Sequence, residues 1–284
     1  MTRINMRRTT WAAVMLTAAL LVALAPLHVL RAFAVAPPAA AATAAQPSVA
    51  IKTLCEGTPF ATECYTVDSG KPGPTVFIGG GSHGNEPAGA AAADQIRTWP
   101  LACGRLIVVP YMNKPGLTAK TRTIPAALAP AAENNLNRNY PSDKKLPIRG
   151  PLARAIWAEI EAARPDWVLD LHEGWGYAGH PDSGSVGSSI IPSREVPARQ
   201  MAQEMLDAVN ASLDDESRRF ALSRLPIEGS LARGASERLG IPAMTIETTS
   251  AGQPLATRVR QHRIMVLRLL SRLKMVTGDF EPRP

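Results

Sequence analysis

His83 and Glu86 are separated by two residues in His83-Gly84-Asn85-Glu86, a spacing that lets an imidazole and a carboxylate project from one turn toward a shared point. Both are metal-ligating groups, and two histidines with one glutamate, leaving a position open for water, form an established catalytic zinc set. The third ligand must come from elsewhere in the chain. His172 is the candidate, since Asp170-Leu171-His172 closes the apolar run that starts at Trp167, and Glu247 closes a similar run, Met244-Thr245-Ile246-Glu247. A lone His-x-x-Glu is commonly a solvated surface pair, but coincidence explains four such residues at three strand ends poorly. The other histidines are weaker candidates. His28 lies in an apolar N-terminal segment, His262 falls in a basic helical stretch where solvation is expected, and His180 sits in a loop where simple exposure is the ordinary reading.

These residues need elements to hold them. Strand-length apolar runs at Thr75 to Ile78, Leu106 to Tyr111, Trp167 to Leu171 and Ala243 to Glu247 alternate with helical patterns after Pro87, at Leu152 to Ala163, Glu195 to Val209, Ser230 to Leu239 and from about Pro254. The alternation predicts a single α/β domain with a mixed, largely parallel central sheet and helices on both faces. Open α/β sheets place their sites at the carboxyl ends of strands, which is where His83, His172 and Glu247 fall. In the last helix Leu255, Val259, Val266, Leu270 and Leu273 share one stripe, and a solvated basic face is expected opposite it. The stretch from Asn113 to Pro147 is long and poor in apolar periodicity, as functional loops often are.

Gly79-Gly80-Gly81-Ser82-His83-Gly84 also matches the dinucleotide fingerprint G-x-G-x-x-G. That reading requires an acidic residue about twenty positions on to hold a ribose hydroxyl. No Asp or Glu occurs between Asp94 and Glu133. The glycines are better read as a turn that carries His83 and Glu86 and lets backbone pass close to a metal and its substrate.

With His83-Gly84-Asn85-Glu86-Pro87, Asn137-Arg138 within Asn-Leu-Asn-Arg-Asn-Tyr-Pro, Asp170-Leu171-His172 and Ile246-Glu247-Thr248 in this order, the chain resembles the zinc carboxypeptidase superfamily, including its succinylglutamate desuccinylase/aspartoacylase branch. The resemblance implies that His83, Glu86 and His172 bind one zinc ion and that Glu247 is the general base. It implies further that Asn137 and Arg138 hold a substrate carboxylate and that Arg122 polarises the scissile carbonyl. The expected reaction is hydrolysis of an amide bond in a small peptide or an N-acyl amino acid. A carboxypeptidase-like peptidase of the cell envelope is the leading form, an N-acyl amino acid deacylase the alternative, and a non-catalytic zinc-containing binding protein a third reading that the retained Glu247 disfavours. Two departures stand out. No tyrosine occurs in Arg224-Leu225-Pro226-Ile227-Glu228, where digestive-type relatives carry a mobile one, so Tyr177 is the substitute lining residue; and Asn135 replaces the family's aspartate ahead of Leu-Asn-Arg, with altered support for Arg138 expected.

At the scale of the chain, Arg3, Arg7 and Arg8 precede an apolar stretch from Trp11 to about Leu30 and then small residues, the pattern of an export signal or an N-terminal anchor. Residues 1–36 are read as that segment, 37–48 as an Ala/Pro-rich spacer and 49–280 as the hydrolase domain. Export to a periplasmic or extracellular space follows, with membrane association only through the N-terminal segment. The net charge of +7 includes four arginines in residues 1 to 45, which contain no acid, so the remainder carries +3. That is no nucleic-acid signature. In an oxidising compartment Cys55 and Cys64 are expected to pair across a short loop, leaving Cys103 as a buried free thiol.

Overall fold

The computed structural model describes residues 46–143, 146–178 and 184–277. The N-terminal segment with His28, most of the spacer, His180 and the last residues of the domain as read from sequence lie outside them. Eight strands form one mixed sheet: β1 (Ser48–Leu54), β2 (Thr62–Asp68), β3 (Thr75–Gly80), β4 (Arg105–Val109), β5 (Trp167–Gly174), β6 (Ser189–Pro192), β7 (Ala221–Leu222) and β8 (Ala243–Thr249). Their spatial order is β1-β2-β4-β3-β5-β8-β6-β7. The four central strands β4, β3, β5 and β8 run parallel, while β2 joins β4 and β6 joins β8 in antiparallel fashion. The sheet is therefore parallel through its centre, where the apolar runs are continuous and burial on both faces demands it, while β2 and β6 join that centre in antiparallel fashion and the edge strand β7 pairs parallel with β6.

Helices cover both faces. On one lie α1 (Pro87–Ile96), α4 (Val196–Asn210) and α6 (Leu255–Arg272), packed with Ile78, Leu169, Leu171 and Ile246. On the other lie α3 (Pro151–Ala163) and α5 (Leu231–Leu239), packed with Phe77, Val168 and Ala243. A short helix, α2 (Lys114–Ala119), follows β4 and is capped by Asn113, whose side chain accepts from the Gly116 N–H. Pro87 begins α1 and Pro151 begins α3, where a missing N–H costs nothing. α5 starts on the Ser230 hydroxyl and stops at Gly240 in left-handed geometry.

The small residues of α1 have a definite use. A Cβ on Gly80 would fall 2.5 Å from the Gly89 carbonyl oxygen, so helix and sheet approach at backbone distance. Gly84 is tighter still, since a Cβ there would come within 1.9 Å of the Gly116 backbone in α2. The glycines at the end of β3 and in the turn after it thus serve close approach of backbone to backbone.

Three sequence expectations are corrected. His262 is fully buried in α6, with its Nε2 3.2 Å from the Thr248 hydroxyl of β8, because the helix packs on that face of the sheet over a wider arc than the apolar stripe marks. Leu255, placed on that stripe, is exposed at the first residue of α6. The cysteines do not pair: Cys64 stands opposite Lys52 in the β1/β2 ladder, whereas Cys55 lies three residues further along, a separation of about 10 Å at strand rise and too long for a disulfide. Cys64 is buried and its thiol is pushed up to about 12 by that burial. Cys103 is free, as expected, but only partly buried.

Candidate metal centre and active site

Alternation along two adjacent parallel strands does most of the assembly. In β5, Asp170 and His172 point to the face that carries α3 and α5; in β8, Thr245 and Glu247 point to the same face. The ladder sets His172 directly beside Glu247 and Asp170 beside Thr245. The turn after β3 then brings His83 and Glu86 to the ends of those strands, Glu86 being the residue just before α1.

Ligand atoms of His83, Glu86 and His172 lie within 4.8 Å of one another, and all three residues are buried. Nδ1 of His83 is 2.8 Å from Glu86 Oε1, and Nδ1 of His172 is 2.8 Å from Glu86 Oε2. The two rings meet edge to face at 4.9 Å between centroids. The opposite nitrogens are also engaged. Nε2 of His83 is 3.2 Å from Asn135 Oδ1, and Nε2 of His172 is 3.0 Å from Asp170 Oδ2 in a charge contact that is not aligned as a hydrogen bond. An acceptor behind each ring favours the proton on Nε2 and leaves the Nδ1 lone pair facing the convergence point, the arrangement found behind metal-ligating histidines.

The electrostatics point the same way. Burial opposes ionisation of Glu86, but His172 and His83 outweigh it and hold the carboxyl below its ordinary range. Burial likewise disfavours charge on His172, yet Asp170 and Glu86 raise its pKa well above the usual value. His83, with less carboxylate around it, is lowered by burial. Two carboxylates around two imidazoles make a place where positive charge is stabilised, and the donor set suits a zinc ion.

Glu247 is buried, and desolvation pushes its carboxyl up to about 8, with Glu86 and Asp170 adding to the rise and His172 and Arg122 opposing it. It faces a cavity of about 200 Å³ whose walls include His83, Arg122, Asn137, Arg138, Ile191 and Thr245. Arg122 donates from Nη1 to Glu86 Oε1 at 2.6 Å and also borders a neighbouring hollow of about 410 Å³ with Asn85, Glu173, Trp175 and Glu247. Its loop is tied to the metal-ligand turn by Gly84 N–H donating to the Arg122 carbonyl at 3.3 Å. Arg138 follows Asn137 on a single 3-10 turn; partial burial and the nearby Arg122 lower its pKa, and its Nη1 donates to the Asn137 carbonyl.

The structure therefore brings seven of the eight sequence-derived residues to one place. Tyr177 is the exception, because its hydroxyl donates to the Ala251 carbonyl at 3.2 Å and it borders neither hollow. Asn135 does something the sequence reading did not foresee: its carboxamide oxygen meets His83 and accepts the Asn137 N–H at 3.1 Å, while the Arg138 guanidinium donates instead to the Asn137 carbonyl. Asp170 and Glu173 were also missed as supports. Asp170 was legible as the residue two before His172, hence on the same strand face. Glu173, on the opposite face, accepts the Ala88 N–H at 2.6 Å and pairs with Arg258 of α6, which fixes the start of α1 and thereby Glu86.

An eight-stranded mixed sheet with this buried cluster at its carboxyl edge defines a zinc carboxypeptidase-like fold of the hydrolase class. Residues 72–273 match the succinylglutamate desuccinylase/aspartoacylase catalytic domain, and the chain belongs to that family. The N-alpha-acetyl-L-2,4-diaminobutyric acid deacetylase of Halomonas elongata is 36% identical over 105 residues, 36% of this chain and 29% of that protein. Among solved structures, Csd4 of Helicobacter pylori, a D,L-carboxypeptidase, superimposes with a TM-score of 0.62 at 24% identity over 75% of this chain and 54% of its own. An aspartoacylase family protein from Mesorhizobium loti gives a TM-score of 0.56 at 20% identity, covering 83% of this chain and 69% of its own. The chain thus spans under a third of the curated relative and about half of Csd4.

Proposed function

We propose that this protein is an exported, zinc-dependent amide hydrolase that acts as a carboxypeptidase-like peptidase on carboxylate-bearing peptides of the cell envelope. The observation that carries the reading is the ladder pairing of His172 with Glu247 beside His83 and Glu86, on a cavity that also holds Asn137, Arg122 and Arg138. His83, Glu86 and His172 would hold the zinc ion, which when bound would supply Lewis acidity and bring the pKa of water toward neutrality. Glu247 takes the proton from the attacking water and returns it to the leaving amine. Arg122 offers its guanidinium to the oxygen that gains charge as the carbonyl becomes tetrahedral. Arg138 and Asn137 fix the substrate carboxylate, and the apolar wall at Ile191 helps to keep bulk water out.

Glu247 borders both hollows, of about 200 and 410 Å³, and that much space favours a substrate larger than a single amino acid, as a peptide is. The N-acyl deacylase reading keeps its own support in the similarity to the Halomonas elongata deacetylase. The deciding experiment incubates zinc-loaded protein with wall-derived peptides and N-acyl amino acids and identifies products by mass spectrometry. Release of a C-terminal residue is expected; release of acyl groups alone would replace the peptidase reading with the deacylase one. Zinc itself is tested by elemental analysis, which is expected to give one ion per chain in the wild type and a sharp loss in His172→Ala.

A further inference from the structure

The sheet ends at β7, and a groove of about 770 Å³ lies at that edge, lined by Pro192 at the end of β6, Arg199 of α4 and the chain from Leu222 to Leu225. None of the metal ligands lines it, nor do Glu247, Arg122 and Arg138. The backbone here has a free side. Ala221 and Ser223 donate their N–H groups to the Ser188 and Ile190 carbonyls at 3.0 and 2.9 Å, so the alternation of a strand turns the Leu222 N–H and carbonyl away from β6 and out of the sheet. The Leu222 side chain is exposed as well. Arg199 and Arg224 are also exposed, and among the described residues neither guanidinium has an ion-pair or hydrogen-bond partner. The same holds for Arg194, two residues after Pro192, while Glu195 beside it is taken up by the hydroxyls of Ser193 and Ser236.

We propose that this edge is a docking surface for an extended acidic segment of a partner protein, which adds a strand beside β7 and sets its carboxylates against Arg199 and Arg224. The outward peptide groups of Leu222 are satisfied by another extended backbone, which is how edge strands recruit peptides. Apolar surface at Leu222 and Pro192 gives alternate side chains of such a guest something to cover. The unneutralised guanidiniums select carboxylates among the rest, through charge-assisted hydrogen bonds. A second copy of this chain fits poorly, because pairing of β7 with β7 about a two-fold axis would bring the same arginines face to face.

The probe is acetyl-Glu-Val-Glu-Val-Glu-amide, whose blocked ends deny it the free main-chain carboxylate that Arg138 would anchor. Calorimetry is expected to show it binding more tightly than acetyl-Gln-Val-Gln-Val-Gln-amide by about tenfold or more, the size of one charge-assisted hydrogen bond. In Arg199→Ala/Arg224→Ala that advantage is expected to vanish, while Arg199→Lys/Arg224→Lys keeps most of it, with thermal melting used to confirm that both variants fold. N-methylation of the three central amides of the acidic peptide removes the donors a strand must offer to β7, and is expected to abolish binding. Equal binding of the Glu and Gln peptides, or an advantage that survives in the alanine variant, would overturn the proposal. Binding that withstands N-methylation would reduce the edge to a charged patch and overturn it as well. Sedimentation of the wild type alone supplies the last check: a dimer that Leu222→Asp dissolves would give the edge to a second copy of the chain and take it from an acidic partner.

Discussion

Glu247 is the residue on which catalysis and mere metal binding part company. Glu247→Gln preserves size and most of the local packing while removing the basicity needed to deprotonate water, so kcat is expected to fall by about 10²–10⁴ with zinc content unchanged. Arg138→Ala is expected to act mainly on KM for carboxylate-bearing substrates, since it removes a charge-assisted anchor made before the transition state. Steady-state kinetics with parallel metal analysis check both, and wild-type turnover in Glu247→Gln would remove it as the base. The cysteines give a second residue-scale expectation. Thiol titration of unfolded protein should find three groups, and in the native state Cys64 should react far more slowly than Cys55 or Cys103, because burial keeps it a neutral thiol. A count of one would restore the disulfide that the β1/β2 register forbids.

Among the elements, the contact of Gly84 with α2 is the most sensitive. Gly84→Ala would drive a methyl carbon into the Gly116 backbone, which a rotamer change cannot relieve, and a loss of about 1–3 kcal/mol or more is expected by chemical denaturation. Unchanged stability would mean that α2 is free to move away. Strand alternation explains how much of this assembly was legible beforehand. Continuous apolar runs marked β3, β4, β5 and β8, and a residue at the end of each of three of them yielded the candidate ligands and base. The edges were not legible in the same way. β1 is almost wholly exposed and carries no buried stripe, β7 has only two residues, and β6 is too short for a period to show. Likewise the burial of His262 depends on how α6 is rolled against β8, which the helix's own sequence does not encode without its partner.

For the whole molecule, the proposed leader and the hydrolase domain make separate demands. The described residues contain no helix long and apolar enough to cross a membrane. The N-terminal segment carries the signal pattern, and expression of the full chain is expected to yield protein in the periplasmic or extracellular fraction with its first thirty or more residues removed. Intact mass of the exported protein measures this. A full-length mass in the membrane fraction would establish the segment as an anchor.

Asn135 accepts from the Asn137 backbone at the start of the turn that presents Arg138, and the same oxygen sits behind His83. On the proposed function, metal affinity and carboxylate affinity would share this one side chain, so a change in either is expected to be felt by the other. Thermodynamic linkage makes the effect reciprocal: whatever factor zinc adds to binding of a carboxylate ligand, the ligand adds to retention of zinc. Asn135→Ala is expected to weaken both and to shrink that factor, measured by calorimetry with a product amino acid at two zinc concentrations. The enzyme would then hold its metal most firmly while it is occupied, a form of cooperativity between two kinds of guest.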